Sequence, residues 1–293
     1  MLPDQFPGGL WCGAPGVRNL IDRLAEVNPT TCRALCSESC RSPGAGSAAA
    51  PPARAIAIIC AMHLFVLIPG AGTDPRIFDA TIAALADLGH EAVAPPLPLS
   101  DERATPSDHA DAVASAVQDR GDLVVVGQSL GAFSAALVPA RIPVARLLLL
   151  APMIPRPGET AGEWWENTGH PEAIADLLER HGQMRDWGPE AMQEVFLHDV
   201  DMEVARANER YSGAPGAGMF SEPWPLEAWP DVPTGVLAPR DDRLFPLAFQ
   251  RRVARERLDV EVDVMPGGHL PMLGRPRELA RRLVRPTEAR SVT

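Results

Sequence analysis

From Met62 onward, short apolar runs alternate with stretches whose apolar residues recur at helical spacing. Leu64-Phe65-Val66-Leu67-Ile68 is an unbroken apolar run of strand length, stopped by Pro69-Gly70-Ala71-Gly72. Ile77 to Leu88 repeats Ile82, Leu85 and Leu88 at helical intervals, and Gly89 ends it. Glu91 to Ala94 reads as a short strand, halted by Pro95-Pro96. Ser107 to Asp119 reads as a helix with Ser107 and Asp108 as cap candidates. Leu123 to Val126 is a strand, a helix follows to about Ala140, and Val144 to Leu150 is a further strand. Thr234 to Leu237 (strand), Pro246 to Arg257 (helix), Val260 to Val264 (strand) and Arg277 to Val284 (helix) continue the alternation. Uniformly apolar strands imply a parallel sheet covered on both faces. Strand–helix alternation implies a doubly wound α/β fold.

The alternation is interrupted between residues 152 and 231, which hold five of the six tryptophans, many prolines and helix-like stretches near 171–181 and 189–210. The expected organisation is therefore an α/β core of residues 62–151 and 232–293, with 152–231 as a helical cap over the carboxyl edge of the sheet. Ligands bind at that edge in open α/β sheets. Residues 1–61 read as a disordered Cys/Pro/Ala-rich extension outside the fold, with Met62 as the expected true start. All five cysteines lie there. Cys32, Cys36 and Cys40 sit at helical spacing, but a zinc site wants a second ligand pair, and no histidine precedes His63. Free thiols are the expectation, with no metal.

Composition narrows the chemistry. A net charge of −11 disfavours nucleic acid and anionic membranes as partners, leaving a small-molecule substrate. All 27 basic residues are arginine, which rules out lysine-based mechanisms. The cysteine-free body suits a reducing compartment, and the expected location is cytoplasmic. The absence of G-x-G-x-x-G, P-loop and HExxH motifs implies no cofactor.

The chemistry sits on Gly127-Gln128-Ser129-Leu130-Gly131, placed between a strand and a helix. In that context G-x-S-x-G forms a sharp turn that exposes a nucleophilic serine. A serine needs a base, and the base needs an acid to orient it. Asp241 and Asp242 follow one later strand, and Pro266-Gly267-Gly268-His269 follows another.

The PGAG loop, GQSLG, the Asp-Asp-Arg-Leu-Phe-Pro stretch and Gly-Gly-His all occur in this order, and residues 62–285 thereby resemble the α/β-hydrolase superfamily. The resemblance implies Ser129 as nucleophile, His269 as base and Asp242, four residues before Pro246, as acid, with Asp241 a solvated neighbour. It implies an oxyanion hole from the N–H groups of Ala71 and Leu130, although Pro69-Gly70 replaces the usual His-Gly. His90 and His109 read as helix-edge surface histidines, while His170 and His181, in the cap, have substrate contact as their most active role. Trp164 and Trp165 are candidates for lining an apolar pocket, with cap packing as the competing reading.

Phe65-Val66-Leu67-Ile68, Leu85 to His90, and Asp242-Arg243-Leu244-Phe245 followed by Phe249-Gln250 resemble the plant methylesterase and hydroxynitrile-lyase group and its bacterial relatives. The lyases carry a lysine beside the histidine; here Leu270 stands there, which favours ester hydrolysis. The expected activity is a carboxylesterase acting through an acyl-enzyme on a small to medium apolar or aromatic substrate. C–C, lactone or thioester hydrolysis, acyl transfer, and ligand binding on a non-catalytic scaffold stay open. A haloalkane dehalogenase would need aspartate at position 129.

Overall fold

The computed structural model describes residues 63–118 and 120–285; the expectations for residues 1–61 lie outside them. Six strands form one parallel sheet: β1 (Leu64–Ile68), β2 (Glu91–Val93), β3 (Leu123–Gln128), β4 (Arg146–Leu150), β5 (Thr234–Pro239) and β6 (Val262–Met265). Their spatial order is β2-β1-β3-β4-β5-β6, with every neighbouring pair parallel.

The apolar runs serve two cores at once. Leu64, Val66 and Ile68 join one buried cluster, whereas Phe65 and Leu67 join the other. In β3 the split is Leu123 and Val125 against Val124 and Val126. Successive side chains of a strand face opposite sides, so an unbroken run is what a doubly covered strand requires. One face is covered by α2 (Pro106–Val117), α3 (Gly131–Ala135) and α10 (Leu247–Leu258), the other by α1 (Asp79–Asp87), the short α11 (Pro271–Gly274) and α12 (Pro276–Leu283).

Local chemistry moves some boundaries. The cap of α2 is Thr105, not Ser107 or Asp108: its hydroxyl accepts from Asp108 N, and Asp108 returns a bond to Thr105 N at 2.9 Å. Pro106 takes the first helical position, where its missing N–H costs nothing. The helix after the serine is α only to Ala135 and passes into a 3₁₀ turn at Val138–Ala140, because Pro139 has no N–H to continue it.

Between β4 and β5 the chain is helical and irregular. Here lie α4 (Ala161–Asn167), α5 (His170–Ala173), α6 (Ala175–His181), α7 (Pro189–Phe196), α8 (Met202–Asn208) and α9 (Gly218–Ser221). The stretch expected as one helix over 171–181 breaks at Ile174, and that over 189–210 breaks after Phe196. Asp201 restarts the second by accepting from Glu203 N at 2.8 Å. The break has a structural use, since it turns His198 and Asp199 toward the loop that carries His269. Among the described residues no helix is long and apolar enough to cross a membrane.

A buried ion pair fastens this segment to the sheet. Arg257, on α10, donates from Nη2 to Glu159 Oε1 at 3.0 Å, and the two side chains are 2% and 4% exposed. Asn167 Nδ2 also donates to Glu159 Oε1, and Arg257 Nη1 donates to Ile154 O. Removing one partner of such a pair strands a buried charge, which costs about 3–5 kcal/mol. Glu159→Leu is accordingly expected to lower stability by about that amount in urea denaturation, more than the double variant Glu159→Leu/Arg257→Met.

Candidate active site

The parallel register brings four loops to one end of the sheet. Ile68 pairs with Gly127, Gln128 with Leu150, Leu150 with Leu237, and Pro239 with Met265. The segments that follow β1, β3, β5 and β6 carry Ala71, Ser129, Asp242 and His269 respectively.

Ser129 occupies a backbone of φ 52°, in the left-handed region. For a residue with a Cβ this costs about 1–2 kcal/mol. Its surroundings hold it there: Ser129 N donates to Leu150 O at 3.0 Å, and Ser129 O accepts from Ala132 N at 3.1 Å and Met153 N at 3.0 Å. The flanking glycines are required by close approach. A Cβ on Gly127 would lie 2.6 Å from Ala135 Cβ, and one on Gly131 would lie 2.3 Å from Pro69 O.

His269 Nδ1 and Asp242 Oδ2 are 2.8 Å apart, and both side chains are essentially out of solvent, at 3% and 0% exposure. Asp242 Oδ1 accepts from Phe245 N at 2.9 Å. The carboxylate is thus aimed by backbone at one ring nitrogen, which leaves Nε2 for the cavity. The imidazole is also gripped by rings, with Phe245 edge-on at 5.0 Å and Phe196 at 5.5 Å. Asp241 does not share this place, and it is more than a solvated neighbour. It pairs with Arg240 at 2.9 Å, and its Oδ2 accepts from Gly267 N at 3.1 Å. The hydrogen bond from Arg240 holds its carboxyl below the ordinary carboxylate range.

Ser129 and His269 line one cavity of about 270 Å³, together with Ala71 and Leu130. No hydrogen bond joins the Ser129 hydroxyl to His269 among the described residues; the two side chains meet by facing the same space. Neither Ala71 N nor Leu130 N donates to a carbonyl among the described residues, so both N–H groups are available at the cavity wall. The remaining wall is mostly apolar, including Met153, Trp165, Met192, Phe196, Phe220 and Leu270.

The two tryptophans part company. Trp165 lines the cavity, whereas Trp164 is fully buried, donates from Nε1 to Ile154 O at 2.9 Å, and packs on Phe245 and Phe249. Trp164 is a packing residue because its indole faces the core helix rather than the opening. The histidines also redistribute. His109 is buried on α2 rather than at a surface edge, and burial lowers its pKa. His90 is half-buried, edge-on to Phe65 at 5.5 Å. His181 pairs with Glu194 at 2.8 Å, away from the cavity.

His170 does not line this cavity. It is fully buried among Trp164, Trp165, Phe245 and Phe249, with Nε2 at 2.8 Å from Leu244 O.

Two contributors escape the motif reading. Gln128, buried inside the pentapeptide, accepts from Gly70 N at 2.8 Å and donates to His269 O at 3.3 Å. One amide thus ties the loop after β1 to the loop after β6. Its only sequence signal is a residue able to both donate and accept at the second position of G-x-S-x-G. Asp199 accepts from Gly268 N at 2.9 Å, and nothing in its sequence surroundings marks it.

This geometry puts a serine on a strained turn, a buried Asp242–His269 pair and the backbone of Ala71 and Leu130 on one cavity. Residues 65–282 match the model of the Alpha/beta hydrolase family. The chain belongs to that family. Among solved structures, this hydrolase is similar to polyneuridine aldehyde esterase at 20% identity and a TM-score of 0.64, over 76% of this chain and 98% of that one. It is similar to a pyrethroid hydrolase from Sphingobium faniae JZ-2 at 23% identity and a TM-score of 0.57, over 75% and 95% of the two chains. A third likeness is to an extracellular alpha/beta-hydrolase from a Paenibacillus species, described as sharing structural and functional homology with tobacco salicylic acid binding protein 2. That match has 17% identity and a TM-score of 0.63, over 75% and 97% of the chains. At such identities the likeness is one of fold, and it includes the plant esterase group that the sequence resembles. Comparison with curated protein sequences gives no match.

Desolvation pushes the His170 pKa down to about 4, partly offset by the Leu244 carbonyl. An unfolded histidine titrates near 6.5. Between those values the unfolded chain binds the extra proton, so stability is lost as pH falls from about 6.5 toward about 4. His170→Phe is expected to flatten that part of the stability–pH profile, as read by urea midpoints at pH 7 and pH 4.5.

Proposed function

We propose that this protein is a serine esterase that cleaves uncharged, apolar or aromatic esters through an acyl-enzyme. The observation that carries the reading is the buried Asp242–His269 pair opening on the same cavity as Ser129 and two unpartnered N–H groups.

Ser129 Oγ attacks the ester carbonyl carbon and gives its proton to His269 Nε2. Substrate binding closes the distance between them, since catalytic hydrogen bonds of the free state commonly tighten in the complex. Asp242 accepts the Nδ1 proton's hydrogen bond, holds the reactive tautomer and stabilises the imidazolium. The oxyanion sits between Ala71 N–H and Leu130 N–H. His269 gives its proton to the departing alcohol, then takes one from the water that attacks the acyl carbon, and passes it to Ser129 Oγ as the carbon–Oγ bond breaks and the acid leaves.

Residues 152–231 act as the cap, because Trp165, Met192, Phe196 and Phe220 supply cavity wall. The volume of about 270 Å³ is at the small end for ligand sites. Among the described residues His269 is the one titratable side chain on that wall, so a substrate carboxylate or ammonium would be desolvated without a fixed counter-charge. This supports a substrate neutral on both sides of the ester bond. Leu270, beside the histidine, adds apolar surface there.

The test is a burst assay with p-nitrophenyl esters of graded acyl length. A stoichiometric burst followed by slower turnover is expected, best with short to medium chains. Ser129→Ala should abolish the burst, and Asp242→Asn should lower turnover about 10⁴-fold. A p-nitrophenyl ester bearing a free carboxylate should be processed at least about tenfold less well than its neutral isostere. Folded wild-type protein that shows no burst with any ester would refute the proposal.

A further inference from the structure

The loop that carries His269 is held from two sides. From the sheet side, Asp241 N donates to Gly267 O at 2.9 Å and Asp241 Oδ2 accepts from Gly267 N at 3.1 Å. From the inserted segment, Asp199 Oδ2 accepts from Gly268 N at 2.9 Å. Gly268 directly precedes His269, so this bond fixes the Gly267–Gly268 peptide, one peptide upstream of the residue that carries the imidazole.

The fit around that bond is close. A Cβ on Gly268 would fall 2.6 Å from His198 Cε1 and 2.7 Å from Asp199 Oδ1. The carboxylate is also in an unfavourable place by itself. Asp199 Oδ1 is buried with no hydrogen-bond partner among the described residues, and neighbouring His198 Nδ1 is in the same condition. Leaving such an oxygen unpaired is unfavourable, because it loses its water without gaining a donor. Its partner oxygen goes to Gly268 N and, at 3.6 Å, to Arg275 Nε. The hydrogen bond that the carboxylate makes among the described residues thus goes to the histidine loop. Three residues earlier on the same segment, Phe196 stands edge-on to the His269 ring.

We infer that Asp199 is a positioning residue for His269, acting from the inserted segment through the Gly268 amide. The cap-side chain is then part of what aims the base. Its kinetic consequence rests on the esterase reading above; its structural consequence does not.

The variants are Asp199→Ala and Asp199→Asn, compared with wild type on p-nitrophenyl acetate, with thermal midpoints recorded for each. The asparagine oxygen can still accept from Gly268 N, so Asp199→Asn should stay within about threefold of wild-type kcat. Asp199→Ala should lose about 30-fold or more in kcat with KM changed less than threefold, the pattern of a misaimed base. Equal loss in both variants, loss confined to KM, or unchanged kcat in Asp199→Ala would overturn the inference.

A second arm needs neither substrate nor a folded alanine variant. Hydrogen exchange should show the Gly268 amide protected in wild type and in Asp199→Asn. The low-field NMR signal of the His269 Nδ1 proton should persist in both. Exchange of the wild-type Gly268 amide at the rate of an open loop would overturn the inference whatever the esterase assay shows. If the esters are not cleaved but Gly268 is protected, the esterase reading fails while the positioning contact stands.

Discussion

Everything at the candidate site depends on how closely the backbone packs at the serine turn. Gly131 lies so near Pro69 O, and Gly127 so near Ala135, that neither position has room for a Cβ. Those contacts press the loop after β1 against the start of α3. The N–H groups of Ala71 and Leu130 come to the same cavity as a result. The positive φ of Ser129 is the local cost of that packing, and three hydrogen bonds to its own peptide groups sustain it. A side chain at Gly131 would push the loop after β1 away, and one at Gly127 would push α3 off β3.

The segment between β4 and β5 is joined to the sheet at points that matter for the chemistry. Its residue Gly213 donates to Gly72 O at 2.7 Å, and Tyr211 O accepts from Asp74 N at 2.8 Å. Asp199 reaches the histidine loop, and Glu159 meets Arg257. Part of the cavity wall and part of the support of the loops after β1 and β6 thus come from this one stretch of chain. Changes that reshape the cavity there are coupled to changes that move the loops of Ala71 and His269.

Charge is kept off the cavity wall by pairing it elsewhere. Asp241 is bound to Arg240, Glu194 to Arg180 and His181, and Glu159 to Arg257. Asp242 remains the acid that faces the imidazole. In such a water-poor place a fixed carboxylate interacts with the imidazole more strongly than it would in solvent. The same low polarity keeps His170 neutral just behind the site.

The sequence by itself determined the parallel doubly covered sheet, the turn that carries Ser129, and the strand ends that carry Asp242 and His269. These follow from short-range rules. Apolar runs specify two-faced strands, glycines specify close turns, and motif order specifies which strand end holds which group. Tertiary structure alone decided which tryptophan meets the cavity, since Trp164 and Trp165 are adjacent and differ only in the neighbours they face. It also decided that His109 and His170 are buried, that Asp241 braces Gly267, and that Gln128 and Asp199 brace the loops around His269. Such roles arise from contacts as distant as the 141 residues between Gln128 and His269. No local periodicity encodes them, because a single polar residue looks the same in sequence whether it meets water or a catalytic loop.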